Sequence, residues 1–224
     1  MKCDCDNCHL KTIFFSTISN ERVEGYCASR IERNLKAKEM IIRQGKPINE
    51  FIYLKEGLVK LYRETPTGNQ IISIGKPLDF VSLLSVFADE KYSYSVSALQ
   101  DSVVCVLELT EIKKLILQNG LFAFSIIKTM NKATDRILFN YLDINQKRLF
   151  GRVASVLLEF ADIYKSDSFD LPISRKEMAQ LVGMSIENVI RTISDLRKDN
   201  IIKVYGKNIE IINRPRLVQV YNHN

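Results

Sequence analysis

Glu187, Asn188 and Arg191 combine three kinds of hydrogen-bonding chemistry within five residues of this 224-residue sequence. A carboxylate accepts hydrogen bonds, a guanidinium presents a fork of donors, and an amide does both. These groups match the base edges in the DNA major groove, where arginine pairs with guanine and glutamate accepts from the cytosine amino group. Glu187 and Arg191 are four residues apart, so a helix would place them on one face. The spacing therefore predicts a helix that reads bases.

The surrounding residues predict two short helices joined by a tight turn. Ser174 is a predicted N-cap, and Glu177 three residues later completes a capping box. Gly183 is predicted to end the first helix with a positive φ, and Ser185 to cap the second. Apolar residues recur at helical spacing on both helices: Met178, Ala179, Leu181, Val182, Val189, Ile193 and Leu196. The expected DNA contacts are Ser174, Arg175, Lys176, Ser185, Ile186, Glu187, Asn188 and Arg191.

Two alternating segments follow in residues 201–212, with a turn at Gly206 and Asn208. An ordinary helical hairpin would share the caps and the glycine, but two helices followed by a β-hairpin form a winged helix-turn-helix. Residues 147–224 hold 13 Lys+Arg and 9 Asp+Glu, a net charge of +4, whereas the other 146 residues hold 19 and 17, a net of +2. The concentrated positive charge favours contact with phosphates.

The first half of the chain changes to a period of two. Strands are predicted near residues 40–42, 51–62, 70–74, 95–98 and 102–107, with turn signals at residues 45–47, 57, 65–69 and 75–77. Many short antiparallel strands at this spacing are typical of a jelly-roll-like β domain. Before them, residues 12–30 are predicted to be helical, with Val23, Tyr26, Cys27 and Ile31 on one side.

A long helix is predicted from about residue 121 to residue 143. Steps of four and three residues give it a heptad-like seam of Ala123, Ile127, Met130, Thr134, Ile137 and Tyr141. The seam suits either packing on the chain's own sheet or a parallel homodimer, with Phe122, Ile126 and Leu138 left to pack on the sheet. The predicted α+β architecture is a β-roll sensor domain with a cysteine segment in 1–119, a dimerisation helix and hinge in 120–145, and a winged helix-turn-helix in 146–224.

Composition excludes several classes of protein. No run approaches the ~18 apolar residues that span a bilayer, and the N-terminus shows no signal peptide, so we expect a cytoplasmic protein without a membrane partner. The sequence has no Gly-rich nucleotide motif, no strand–serine–helix elbow and 2 histidines. We therefore expect no enzymatic activity.

A β roll, a long helix and a C-terminal winged helix-turn-helix, in that order, resemble the Crp/Fnr family of bacterial transcription regulators. The most similar segments are residues 151–154, 173–183 and 187–191, together with residues 78–87. The resemblance implies a homodimer on a two-fold double-stranded DNA site, with RNA polymerase as a candidate partner. It also implies that Glu187 and Arg191 read a TGA-type half-site. Ile186 and Ile190 depart from the family, whose subfamilies place arginine or serine there.

The same resemblance implies an effector pocket at Ser82, Leu83, Leu84, Ser93, Tyr94 and Ser95. Cyclic-nucleotide sensors of the family use an arginine for the phosphate and a glutamate for the ribose. Here Ser82, Leu83 and Leu84 match the family's Gly-Glu-Leu, and no arginine lies between Arg63 and Arg136. Burying a phosphate without a cation is costly. We therefore expect a different small ligand or a pocket filled by side chains, and not cyclic AMP.

Cysteines offer another route to a signal. Cys3, Cys5 and Cys8 form a thiol-dense segment, for which a metal or redox role is favoured over a stable disulfide in the cytosol. Cys105 lies where the oxygen-sensing branch of the family places a strand-borne ligand, so four thiolates would hold a [4Fe–4S] cluster. Zinc, a thiol switch, or a terminus without ligand are the alternatives, with Cys105 then a small buried apolar residue.

One further alternative is a ligand-binding module that regulates a partner protein, as related cyclic-nucleotide domains do. It would account for the β roll but would leave the winged helix without a role.

Overall fold

Two antiparallel sheets carry the first half of the protein, whose computed structural model describes residues 30–223. Chain contacts divide it into two units, Met1–Arg136 and Ile137–Asn224. One sheet has the order β1-β7-β3 and the other β2-β6-β4-β5, with all pairs antiparallel. The strands are β1 Ile31–Leu35, β2 Met40–Ile42, β3 Glu50–Glu56, β4 Val59–Thr65, β5 Gly68–Gly75, β6 Ser95–Ala98 and β7 Ser102–Glu108. Buried side chains from both sheets form one core, so the jelly-roll-like domain is confirmed.

The turn between β3 and β4 depends on Gly57, whose φ is +89°. A Cβ at this position would lie 2.1 Å from the Ser102 hydroxyl and 2.7 Å from the Asp101 carbonyl oxygen, so only glycine fits. The predicted break at this residue is thereby confirmed. Ile31, which we expected on one side of a helix, instead begins β1 and pairs with Val106. The remainder of that predicted helix, up to residue 29, lies outside the described residues.

Two helices follow β7: α1 Leu109–Gln118 and α2 Gly120–Gln146. The Asn119 side chain accepts a hydrogen bond of 3.0 Å from the Phe122 backbone nitrogen and so caps α2. Phe122 and Ile126 are buried, as expected, but Leu138 is 48% exposed and does not belong to the buried face. Apolar side chains exposed by 43–69% line the rest of α2: Leu121, Phe124, Ile127, Leu138, Phe139, Tyr141 and Leu142.

The second unit is built around α3 Leu149–Tyr164, whose Val153, Leu157 and Phe160 are fully buried. Its other elements are β8 Ser168–Asp170, α4 Arg175–Val182, α5 Ile186–Lys198, β9 Ile202–Tyr205, β10 Asn208–Ile211 and α6 Arg214–His223. The sheet order is β8-β10-β9, so the predicted hairpin is present and β8 adds a strand that the sequence did not indicate. None of the described helices is long and apolar enough to cross a bilayer.

Candidate nucleic-acid interface

The first helix of the interface, α4, begins with the predicted capping box. The Ser174 hydroxyl accepts from the Glu177 backbone nitrogen at 3.2 Å, and the Glu177 carboxylate accepts from the Ser174 backbone nitrogen at 2.8 Å. These two bonds satisfy backbone donors that the first turn of a helix leaves free. The box fixes the start of α4 and therefore the positions of Arg175 and Lys176, which directly follow the cap.

Gly183 ends α4 with φ +63°, and the backbone nitrogens of Gly183 and Met184 both bond to the Ala179 carbonyl. This is the left-handed helix end that the sequence predicts. Arg152 completes it from α3, since its Nη1 donates to the Val182 carbonyl at 3.1 Å and its Nε to the Lys147 carbonyl at 2.9 Å. Arg152 therefore holds the turn that sets the angle between α4 and α5.

The second helix, α5, is capped by Ser185, whose hydroxyl accepts from the Asn188 backbone nitrogen at 3.2 Å. Val189, Ile193 and Leu196 are buried as predicted, and Thr192 joins them. Because these four residues cluster on one side of the helix, Glu187 and Arg191 lie on the opposite, exposed side. The helix thus presents a carboxylate and a guanidinium outward together.

The exposed groups of α5 are held in defined positions. Arg191 Nη2 donates to the Asn188 side-chain oxygen at 2.7 Å. Hydrogen bonds from its own backbone N–H and from the Ser185 hydroxyl hold the pKa of Glu187 below its usual range. Glu187 is therefore ionised at neutral pH and is available as an acceptor.

Arg175 is half-buried at the first position of α4, and burial lowers the pKa of its guanidinium. Within residues 30–223 its side chain has no hydrogen-bonded acceptor. A half-buried cation favours an anionic partner, because the attraction offsets lost hydration. Lys176 next to it is exposed. Both side chains have the chemistry that binds a phosphate backbone.

The hairpin of β9 and β10 presents two lysines and a tyrosine that were not among the predicted DNA contacts. Lys203, Tyr205 and Lys207 are exposed around the turn at Gly206. The charge of the two lysines was visible in the sequence, but a lysine beside a turn is too common to single out. Arg152 was missed for another reason, because its contact with Val182 spans 30 residues of sequence.

The residues of the expected effector pocket lie in the first unit and are mostly occupied with internal bonds. The buried Ser82 hydroxyl accepts from the Ile52 backbone nitrogen at 2.9 Å. Leu83 is buried, and Leu84 packs partly buried against the core. The segment therefore contributes apolar surface and one engaged hydroxyl where the resemblance implied ligand contacts.

Ser93, Tyr94 and Ser95 are bonded in a similar way. The Ser93 hydroxyl lies 2.8 Å from that of Ser85, and the Tyr94 hydroxyl donates to the Val81 carbonyl at 2.8 Å. Burial raises the pKa of Tyr94, which stays protonated as a donor. The Ser95 hydroxyl donates to the Glu64 carboxylate at 2.8 Å. The nearest charge to Ser95 in this network is thus negative.

Cys105 lies in β7, buried, with its sulfur 3.8 Å from a Glu32 carboxylate oxygen. Lys55 bonds to the same carboxylate at 3.0 Å. Cys3, Cys5 and Cys8 lie outside the described residues. In residues 30–223 no group of three or more His, Cys, Asp or Glu side chains has the geometry of a metal site. Because three of the four predicted thiolate ligands lie outside the described residues, the metal site stays a prediction.

Two domain families match the sequence. A cyclic nucleotide-binding domain matches residues 32–119, and a Crp-like helix-turn-helix domain matches residues 151–220. The anaerobic regulatory protein of Bacillus subtilis is 24% identical over 84% of this chain and 82% of its own length. The transcriptional activator protein anr of Pseudomonas aeruginosa is 25% identical over 80% of this chain and 76% of its own length.

Solved structures share the fold. FixK2 from Bradyrhizobium japonicum aligns with a TM-score of 0.74 at 22% identity, over 85% of this chain and 96% of its own. A CRP-family transcriptional regulator from Thermus thermophilus aligns with a TM-score of 0.75 at 19% identity, also over 85% of this chain and 96% of its own. At these identities the likeness concerns the fold.

Proposed function

This chain belongs to the Crp/Fnr family of DNA-binding transcription regulators, and from that premise we propose that it binds a two-fold, TGA-type site as a homodimer. In this proposal Arg191 donates to guanine and Glu187 accepts from the paired cytosine. Arg175 and Lys176 contact phosphates and fix the register of the helix on the duplex. Ser174 and Ser185 adjoin the same backbone, and their hydroxyls, which donate to Glu177 and Glu187, exchange those acceptors for a phosphate when DNA binds.

The observation that carries the proposal is the outward pairing of Glu187 and Arg191 on a helix whose opposite side is fully buried. A helix fixed in this way can enter the major groove without rearranging its domain. Asn188 holds Arg191 through a 2.7 Å bond, so the guanidinium must exchange that acceptor for a base when it binds. The half-buried Arg175 supplies a cation on the adjoining helix.

Exposed apolar side chains on α2 support the homodimer. Ile127 and Tyr141 of the predicted seam are each more than half exposed, and Phe124 and Phe139 flank them. Isolated apolar residues on a surface are common, whereas a row along one helix marks an interaction surface. In this proposal α5 is the recognition helix, and a dimer joined through α2 binds two DNA half-sites one duplex turn apart, about 34–36 Å, with one α5 at each.

The test is fluorescence anisotropy with a duplex that carries two inverted TGA half-sites, against a scrambled duplex. We expect a clear preference for TGA at physiological salt. Arg191→Ala should cost about 1–3 kcal/mol and relax selection at one base pair, whereas Lys176→Ala should weaken binding to all duplexes alike. If binding-site selection returned the same motif for Arg191→Ala and the parent, the assigned role of Arg191 would be wrong.

We also propose that the β domain does not bind cyclic AMP, because no arginine lies between Arg63 and Arg136 to bind the phosphate. The side chains of Leu83 and Leu84 offer no acceptor for a ribose, and the Ser95 hydroxyl is bonded to the Glu64 carboxylate, which would repel a phosphate. A ligand that binds only the folded state raises its stability by mass action. Millimolar cyclic AMP should therefore leave the melting temperature unchanged, and a rise of several degrees would contradict the proposal.

The alternative signal is a metal or redox change at the thiols, favoured by the name of the Bacillus subtilis relative, an anaerobic regulatory protein. Anaerobic purification followed by visible absorption and iron, zinc and sulfide analysis tests it. About four irons per chain, lost in Cys105→Ala, would support a cluster. A colourless, metal-free protein would exclude both the cluster and zinc.

A further inference from the structure

Two isoleucines stand on the exposed side of the recognition helix α5. Ile186 is 37% exposed and Ile190 is 53% exposed, although both are large and apolar. They are four residues apart, so they form one apolar strip along the helix. Isoleucine is also a mediocre helix former. Neither solvation nor helix propensity explains the strip.

The strip adjoins the polar residues that are assigned to base reading. Each isoleucine immediately precedes one of them, Ile186 before Glu187 and Ile190 before Arg191. With 100° between successive residues of a helix, the strip runs parallel to the Glu187–Arg191 pair and toward one edge of the exposed face. When that pair reaches base edges, the isoleucines meet the neighbouring base pairs.

An isoleucine in the major groove distinguishes bases because its side chain has no hydrogen-bond donor or acceptor. The C5-methyl of thymine is the apolar group that a base edge presents there, whereas guanine and cytosine present acceptors and amino donors. Polar edges covered by isoleucine lose their bonds to water without replacement, which is unfavourable. A thymine methyl covered by the same side chain loses only contact with water, which is favourable.

We propose that Ile186 and Ile190 read thymine methyl groups in the base pairs that adjoin those contacted by Glu187 and Arg191. This inference rests on the proposed function and deepens it, because it gives the outer positions of each half-site a preference for T·A pairs. The discrimination is apolar and does not depend on hydrogen bonds of the isoleucine side chains.

The test replaces thymine by uracil, which keeps base pairing and lacks only the methyl group. In a duplex with inverted TGA half-sites, each thymine within two base pairs of the guanine is replaced in turn. Burial of one methyl corresponds to roughly a fourfold change in affinity, so replacement in both half-sites should weaken binding about sixteenfold. Ile190→Ser and Ile186→Ser should each abolish the thymine-to-uracil ratio at one position.

Two controls separate a contact from a general loss of folding or binding. Ile190→Val keeps an apolar β-branched side chain and should retain the ratio. Val218→Ser changes an exposed apolar residue on α6 and should leave both affinity and ratio unaltered. A methyl group supplied on cytosine at the same position should restore part of the affinity of a C·G duplex.

Equal affinity for thymine and uracil at every position, with the preference for TGA over scrambled duplex intact, would overturn the inference and leave the proposed function standing. Loss of the TGA preference itself in the parent protein would instead overturn the proposed function, and the inference with it.

Discussion

Arg152→Met should destabilise the DNA-binding unit, because one guanidinium serves the ends of two helices. Its Nη1 donates to the Val182 carbonyl at the end of α4, and its Nε donates to the Lys147 carbonyl just after α2. The last carbonyls of a helix have no partners within it, and a cation near them is favourable. Methionine keeps an unbranched, flexible stem and its helix propensity but removes all donors.

The magnitude follows from the two well-formed bonds, at 2.9 and 3.1 Å. The contacts from the Arg152 guanidinium to the Gly183 and Asn145 carbonyls, at 3.4 and 3.5 Å, are at the limit of a hydrogen bond and add little. Each good bond contributes about 1 kcal/mol net, since the carbonyls regain some water in the variant. The expected loss of about 2 kcal/mol lowers the melting temperature of a domain of this size by about 8–16 °C.

Circular dichroism melting and anisotropy on the TGA duplex measure the two consequences. Arg148→Met is the matched control, because Arg148 is exposed and its guanidinium has no bonded partner within residues 30–223. We expect Arg152→Met to melt earlier and to bind the duplex more weakly, even at temperatures where it is folded. Equal melting temperatures for the two variants would refute the role assigned to Arg152.

Three further outcomes are expected. Gly183→Ala should cost about 1–2 kcal/mol in urea unfolding, because φ +63° strains alanine while its Cβ meets only Arg152 at 3.8 Å; unchanged stability would contradict this. The pKa of Glu187 is lowered, so its carboxylate should contribute to TGA selectivity from about pH 8 to about pH 5. This contribution should be lost only below the ordinary glutamate pKa of 4.5. Loss of selectivity between about pH 7 and about pH 5, measured by anisotropy, would contradict this role. Ile127→Glu should convert a dimer into monomers in light scattering, and an unchanged mass would remove Ile127 from the dimer interface.

The helix-turn-helix could be predicted from the sequence because its signals are local. Ser174 and Glu177 are three residues apart, and Gly183 and Ser185 lie within one turn of the helices they end or begin. A cap is decided by a few neighbouring backbone groups, so residue type and spacing almost determine it. The same holds for the β3–β4 turn, where only a glycine at position 57 fits both the positive φ and the close approach of the neighbouring chain.

What escaped prediction depends on partners distant in sequence. β1 is an edge strand whose Ile31 is exposed, so its apolar alternation is weak, and it forms only by pairing with β7. β8 has three residues and is defined by β10, about 40 residues later. Leu138 followed the spacing of the buried face yet is exposed. Periodicity finds helices and strands but does not identify what covers each face.

The segment after β5 contains Ser82 of the expected effector positions. Hydrogen bonds that no sequence pattern marks connect this segment to β3 and to α2. Val81 and Ser82 bond to the backbone of Ile52 in β3, at 3.0 and 2.9 Å. Three residues before Ser82, the Asp79 carboxylate accepts hydrogen bonds from both terminal nitrogens of Arg136 on α2, at 3.0 and 2.9 Å. A bidentate pair of this kind is geometrically strict. A signal that displaces this segment must therefore either break the Asp79–Arg136 pair or move α2 with it.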